Sequence, residues 1–217
     1  RGYVYGQQKM IAQFNCTGDW AFYIEGDEVY HEQDLDKIFQ SMKDNLNNPN
    51  IEALVSDFYH FYGNSNSILN SPGWYRSEAR IIKNSLRSYA PDGLFWLVLD
   101  SNKTGRYPKA KHTGAYCYHY GWVRTEDQMN LKSKKVQQYW GGAPKSIDYS
   151  KIDQSIIHKF NGSHPSVMHE WLPKSYGLFH ADPRYKLTQK ERKHRLMIKL
   201  EKLFGLELSK KHYKLIK

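Results

Sequence analysis

Apolar residues recur along this chain at two periods, and the switching between them predicts an α/β protein. Residues 7–14 read as a helix with Met10, Ile11 and Phe14 on one side, closed by Gly18. A short strand over 20–24 follows. Leu35, Ile38, Phe39, Met42 and Leu46 recur at three and four, which predicts an amphipathic helix over 33–46 that stops before Pro49. Residues 51–62 are β-branched and aromatic and read as a strand. Residues 63–73 are polar and turn-rich and read as a loop, and residues 74–84 as a further strand. Pro91-Asp92-Gly93 is a turn, 94–99 a short apolar run and 100–113 a basic connection. An aromatic strand over 115–124 and a polar helix over 126–139 complete this region. After Gly141-Gly142 the pattern loosens. It sharpens again at Thr188-Gln189-Lys190-Glu191, which has the form of a capping box. Leu196, Met197, Leu200, Leu203 and Phe204 then form one stripe, and Gly205 is the expected stop. No internal repeat is present. Three parts are expected: a body over 1–140, an irregular extension over 141–182 and a basic helical tail over 183–217.

Composition changes this picture in two places. The 217 residues are 40% hydrophobic and 25% charged, enough for a real core, with no run approaching the roughly eighteen apolar residues of a membrane span. The net charge of +10 invites a nucleic-acid reading, but its distribution argues against one. Residues 183–217 hold twelve Lys or Arg against three Glu, so the remaining chain is close to neutral. Two cysteines, Cys16 and Cys117, make no disulfide framework, and a reducing compartment is expected.

Four clusters could carry chemistry. Glu25-Gly26-Asp27-Glu28 puts three carboxylates at the end of an apolar strand, where alternate residues Glu25 and Asp27 would share a face. Such repulsion is relieved by a divalent cation, which prefers oxygen ligands. His119 lies in Tyr118-His119-Tyr120-Gly121-Trp122-Val123-Arg124 and could complete a metal site or serve as a hydrogen-bonded structural residue. Arg124 could meet phosphate, carboxylate or only a surface partner. His60, Trp74 and Tyr75 lie in aromatic segments whose faces and polar groups suit a sugar or a base, or simply a core strand. Asp92 is a turn residue that becomes a general-base candidate beside a nucleophilic hydroxyl.

Taken in order, Gly18-Asp19-Trp20, Tyr23-Ile24-Glu25-Gly26-Asp27-Glu28-Val29, His31-Glu32, Tyr59-His60-Phe61-Tyr62-Gly63, Trp74-Tyr75-Arg76-x-Glu78-x-Arg80-Ile81-Ile82-Lys83-Asn84 and His119-Tyr120-Gly121-Trp122-Val123-Arg124 resemble bacterial glycosyltransferases of the family 2 kind, over residues 1–140. The resemblance implies a partial GT-A-like mixed sheet flanked by helices. It implies a nucleotide-sugar donor, Mn²⁺ or Mg²⁺, and transfer with inversion to a glycan or other acceptor hydroxyl, as in surface polysaccharide synthesis. It assigns Asp27, Glu25 and His119 to the metal, and Asp92, then Glu78, to the catalytic base. Glu28, His60, Trp74, Tyr75, Arg80, Trp122 and Arg124 become substrate-binding residues. The motif reads Glu-Gly-Asp where the family has Asp-x-Asp, so Asp27 is the firmer ligand. The family's nucleoside-binding half would precede residue 27 and is expected to be missing here, either because the chain is a fragment or because another segment supplies that site, so the isolated chain is not expected to be fully active.

The main rival is a nucleic-acid binder or metal-dependent nuclease, which the basic tail and the carboxylate–histidine set permit. The near-neutral body weighs against it, and no nucleic-acid partner is expected. The tail has Lys and Arg on one face and Leu, Met and Phe on the other. It is expected to pack its apolar face on the body, with peripheral membrane contact through residues 188–204 as the alternative. The expected location is the cytoplasm, including the inner face of the membrane.

Overall fold

The computed structural model describes every residue except Arg1, Gly142, Pro144, Lys145, Pro173, Ser175, Tyr176 and Lys217; the second glycine of the Gly141-Gly142 break is therefore outside the described residues. The protein is mixed α/β, a mixed sheet flanked by helices. Its elements are α1 (Tyr3–Phe14), β1 (Trp20–Phe22), β2 (Glu28–Tyr30), α2 (Leu35–Asn45), β3 (Ala53–Tyr62), β4 (Asn64–Leu69), β5 (Ser77–Lys83), β6 (Ser88–Tyr89), β7 (Leu97–Leu99), β8 (Gly105–Arg106), β9 (Lys109–Trp122), α3 (Glu126–Trp140), β10 (Ile157–Lys159), α4 (Gln189–Phe204) and β11 (Lys214–Leu215).

Two long strands, β3 and β9, run parallel at the centre, with His60 opposite His119. The other side of β3 pairs with β5 along its first half and with β4 along its second. The far side of β9 carries β2 and β11. Strand β1 extends the sheet beyond β5, and β10 extends it beyond β4. A second, small sheet is built from β6, β7 and β8. All seven residues of β5 are buried, as expected of a strand covered on both faces. Leu54, Ile81 and Ile82 are fully enclosed, and each such side chain contributes about 1.5–3 kcal/mol.

Helix α2 buries Ile38 against Leu54, Phe58 and Ala115 and leaves Leu35 and Phe39 in solvent. Helix α3 opens with a capping box in which Thr125 and Gln128 bond each other's backbone N–H, and α4 opens the same way through Thr188 and Glu191. Gly205 ends α4 in the left-handed conformation.

Several expectations are corrected. The 63–73 loop contains β4, whose inward residues Ser65 and Ser67 are small enough for the neighbouring chain to close over them. Gly63 takes φ 70° to turn β3 directly into β4. Strand β9 starts at Lys109, six residues before the aromatic stretch. Helix α1 buries Gly6, Lys9 and Gln13 and exposes Ile11 and Phe14, the reverse of its apolar pattern. The reason lies in its partner surface: Gln13 Nε2 donates to Ser88 Oγ, Trp96 Nε1 donates to Gln13 Oε1, and Lys9 lies over the Trp96 ring. The apolar stripe of α4 also faces outward, because the body side of this helix is taken by Ile198 and by ion pairs of Arg195 with Asp153 and Glu201 with Arg76. Both cysteines are free thiols. Among the described residues, no helix is long and apolar enough to cross a membrane.

Candidate active site

The acidic motif forms a turn between β1 and β2 rather than a strand end. Glu28 N–H donates to the Glu25 carbonyl at 2.9 Å, and Glu25 N–H donates to the Glu28 carboxylate at 3.1 Å. Gly26 sits at the open tip. The turn is pinned to β9 by Tyr120 N–H, which donates to the Asp27 carbonyl at 2.8 Å. Strand register then lines up Glu28, His119 and His60 across β2, β9 and β3, although 91 residues separate the first two in sequence.

Glu28 faces inward and is fully buried, with Arg80 against it. Arg80 Nε and Nη2 both reach the Glu28 carboxylate, at 3.0 and 2.5 Å, and Nη1 donates to the Leu94 carbonyl. The guanidinium also lies over the Phe58 ring at 5.0 Å. A bidentate pair of this kind is structural: it holds the turn in place and leaves Glu28 and Arg80 no free face for substrate. Glu25 is drawn to the same guanidinium at 3.4 Å. Burial nevertheless pushes the Glu25 carboxyl up, more than Arg80 pulls it down.

Asp27 points the other way. Its Oδ2 accepts from Lys132 Nζ at 2.7 Å, and its Oδ1 lies 3.7 Å from His119 Nε2. Burial works against its charge, but the His119 ring and the Lys132 ammonium outweigh burial and hold the carboxyl below its ordinary range.

The proton positions on the two histidines follow from their partners. His60 Nε2 lies 2.6 Å from the Tyr75 carbonyl, which can only accept, so Nε2 carries the proton. His60 is neutral, its pKa pushed down to about 3 by burial and then by His119. Its Nδ1 is therefore bare and accepts from His119 Nδ1 at 3.0 Å. Burial also lowers the pKa of His119. With Nδ1 donating to His60, Nε2 is the ring nitrogen left facing Asp27: protonated, it pairs with that carboxylate, and deprotonated, it offers its lone pair to a cation held between them. An imidazole whose second nitrogen donates to a fixed acceptor is the usual arrangement of a metal-ligating histidine. Beside these atoms the backbone passes at Gly121, where a Cβ would lie 2.6 Å from His119 Nε2 and 2.8 Å from Asp27 Oδ2.

This turn forms one wall of a cleft of about 590 Å³. Glu25, Gly26 and Asp27 line one side. Arg124 and one face of α3, with Gln128, Leu131, Lys132 and Lys135 among its residues, line the other. Spacings of three, four and seven place those α3 residues on one stripe. The cleft thus has a carboxylate wall and a cationic wall, which suits a ligand carrying both negative oxygens and hydroxyls.

The expected site residues separate into groups. Glu25, Asp27, Glu28, Arg80, His119, His60 and Tyr75 are brought together. Trp74 and Trp122 pack edge to face at 5.6 Å beside His60. Arg124 reaches the cleft from its far side. Glu78 is enclosed in the core, where its carboxylate accepts from His212 at 2.6 Å, so no substrate reaches it. Asp92 accepts from Leu94 N–H within its own turn, against α1 and away from the cleft lining. Of the three expected metal ligands, Asp27 and His119 face each other, whereas Glu25 lies 3.4 Å from Arg80. Two donors, Asp27 and His119 Nε2, do fit a divalent ion whose remaining positions are filled by ligand oxygens and water. Gln128, Lys132 and Lys135 were not legible as site residues, because lysines on a polar helix have the pattern of any solvated face. Compared with protein-family models, with curated proteins and with solved structures, the chain matches none.

Proposed function

We propose that this protein is a metal-dependent glycosyltransferase with a GT-A-like sheet, moving a sugar from a nucleotide-sugar donor to an acceptor hydroxyl. The observation that carries this reading is the His60–His119–Asp27 arrangement at the edge of a cleft with a cationic opposite wall. Asp27 and His119 would hold Mn²⁺ or Mg²⁺. A bound divalent cation neutralises charge on the departing diphosphate.

The chain's own residues supply the rest. Lys132, Lys135 and Arg124 face the diphosphate oxygens, with Lys132 exchanging its Asp27 partner for a phosphate oxygen. Glu25 is the remaining carboxylate of the lining, and burial, by raising its pKa, makes it the stronger proton acceptor. The acceptor O–H proton passes to Glu25, the oxygen bonds to the sugar's anomeric carbon, and the bond from that carbon to the diphosphate breaks. The nucleoside diphosphate leaves with the electron pair. Arg80 and Glu28 position the turn, and His60 fixes the tautomer of His119.

Calorimetric titration of the protein with nucleoside diphosphates, with and without Mn²⁺, tests this reading. The expected result is binding that requires Mn²⁺ and is lost in Asp27→Asn. Binding that is equally strong in chelator would refute it.

A further inference from the structure

We propose that the outer face of α4 binds the surface of an anionic lipid bilayer. Leu196, Leu200, Leu203 and Phe204 lie along one side of this 16-residue helix and are exposed, Leu203 at 74%. At 100° per residue they fall within an arc of about 100°. Arg192 and Lys199 border this stripe on one side and Lys193 caps its N-terminal end, all exposed and none in an ion pair among the described residues.

The carboxylates of α4 are turned away from that face. Glu191 is held by Thr188 and Tyr185, and Glu201 makes a bidentate pair with Arg76 on the body at 2.8 and 3.0 Å. The opposite side is anchored by Ile198 and by Arg195, whose two bonds to the buried Asp153 are 2.6 and 2.7 Å. The helix is therefore fixed to the body with its apolar face outward, and that face is bordered by positive charge alone.

This charge pattern selects the occupant. A second copy docked through the same face would oppose basic flanks to basic flanks. Nucleic acid would match the charge but leave four large apolar side chains without apolar contact. An anionic bilayer meets both requirements: headgroup phosphates for Arg192, Lys193 and Lys199, and acyl chains for the leucines and Phe204. The inference stands independently of the transferase reading.

Flotation of the whole chain with vesicles tests it, using phosphatidylcholine alone and phosphatidylcholine mixed with phosphatidylglycerol. The protein is expected to float with the mixed vesicles only, less so as salt is raised. Leu196→Glu/Leu203→Glu should weaken partitioning by roughly a hundredfold with an unchanged thermal melt, since both side chains are largely in water already. Lys193→Glu/Lys199→Glu should weaken it by roughly tenfold or more. Failure to float with the mixed vesicles would overturn the proposal, as would equal flotation of the leucine variant. A dimer in solution that dissociates in the leucine variant would assign the face to a second copy and overturn it as well.

Discussion

Lys9 offers a test of how α1 is docked behind the acidic turn. Its side chain is 1% exposed, its Nζ lies 3.6 Å from the Trp96 ring centroid and 4.4 Å from that of Tyr23, and its hydrogen-bond acceptor is the Gly93 carbonyl at 3.4 Å. No carboxylate pairs with it directly among the described residues. Burial, and then repulsion from Arg80, pushes its pKa from the ordinary 10.5 down to about 7, against the pull of Glu25, Glu78 and Glu28. The unfolded chain keeps this proton up to about pH 10.5, whereas the folded chain gives it up above about pH 7. Between those limits the unfolded state binds more protons, so this group makes folding stability rise with pH. Below about pH 7 both states are protonated and the full cost of the buried charge remains, on the order of 4–5 kcal/mol at 1.36 kcal/mol per pH unit. Lys9→Met keeps the length of the side chain and removes the charge. Allowing about 1 kcal/mol for the lost hydrogen bond and ring contacts, the variant should be more stable than the wild type by roughly 3–4 kcal/mol at about pH 6. The gain should shrink toward zero near pH 10. Urea unfolding of both proteins at about pH 6, 8 and 10, followed by circular dichroism, gives the difference directly. Parallel stability curves for the two proteins, or a less stable variant at pH 6, would refute the placement of a charged lysine in this core.

Three other perturbations probe the site itself. Arg80→Met leaves the Glu28 carboxylate buried without its partner and should cost about 3–5 kcal/mol in urea unfolding, much of it recovered in Arg80→Met/Glu28→Leu. Gly121→Ala places a methyl group 2.6 Å from His119 Nε2 and 2.8 Å from Asp27 Oδ2, so the ring or the carboxylate must shift; Mn²⁺ affinity of the folded variant, measured by calorimetry, should fall by about tenfold or more. His60→Phe removes the acceptor for His119 Nδ1–H and should lower Mn²⁺ affinity by about 10–100-fold, measured by calorimetry, although residue 60 itself touches no ligand.

The elements legible in the sequence were those whose signal is local. The 3–4 spacing of α2, the capping box at Thr188 and the aromatic-rich run of β3 each specify their own structure. Elements defined by their neighbours were misread. β4 is a strand despite opening Asn-Ser-Asn-Ser because β3 and β10 on either side supply its pairing. Helix α1 buries Lys9 and Gln13 because Trp96 and Ser88 offer a ring face and a hydroxyl there. The exposed stripe of α4 could not be told from a core-facing one, since periodicity marks an apolar side without saying what covers it. The candidate site was legible as residue types, but its geometry came from register: β2, β9 and β3 bring Glu28, His119 and His60 side by side. The partition of roles was not legible at all. Only the fold shows that Glu28 belongs to Arg80, that Glu78 belongs to His212, and that Asp27 faces a wall of lysines on α3.

The central claim is that Asp27 and Nε2 of His119 together bind a divalent cation that a nucleoside diphosphate then shares. Pulsed electron paramagnetic resonance of the protein with Mn²⁺ addresses this most directly. The account predicts a bound Mn²⁺ signal with nitrogen coupling that disappears in His119→Ala, and phosphorus coupling when a nucleoside diphosphate is added. Mn²⁺ bound without nitrogen coupling, or no bound Mn²⁺ with the nucleotide present, would contradict it.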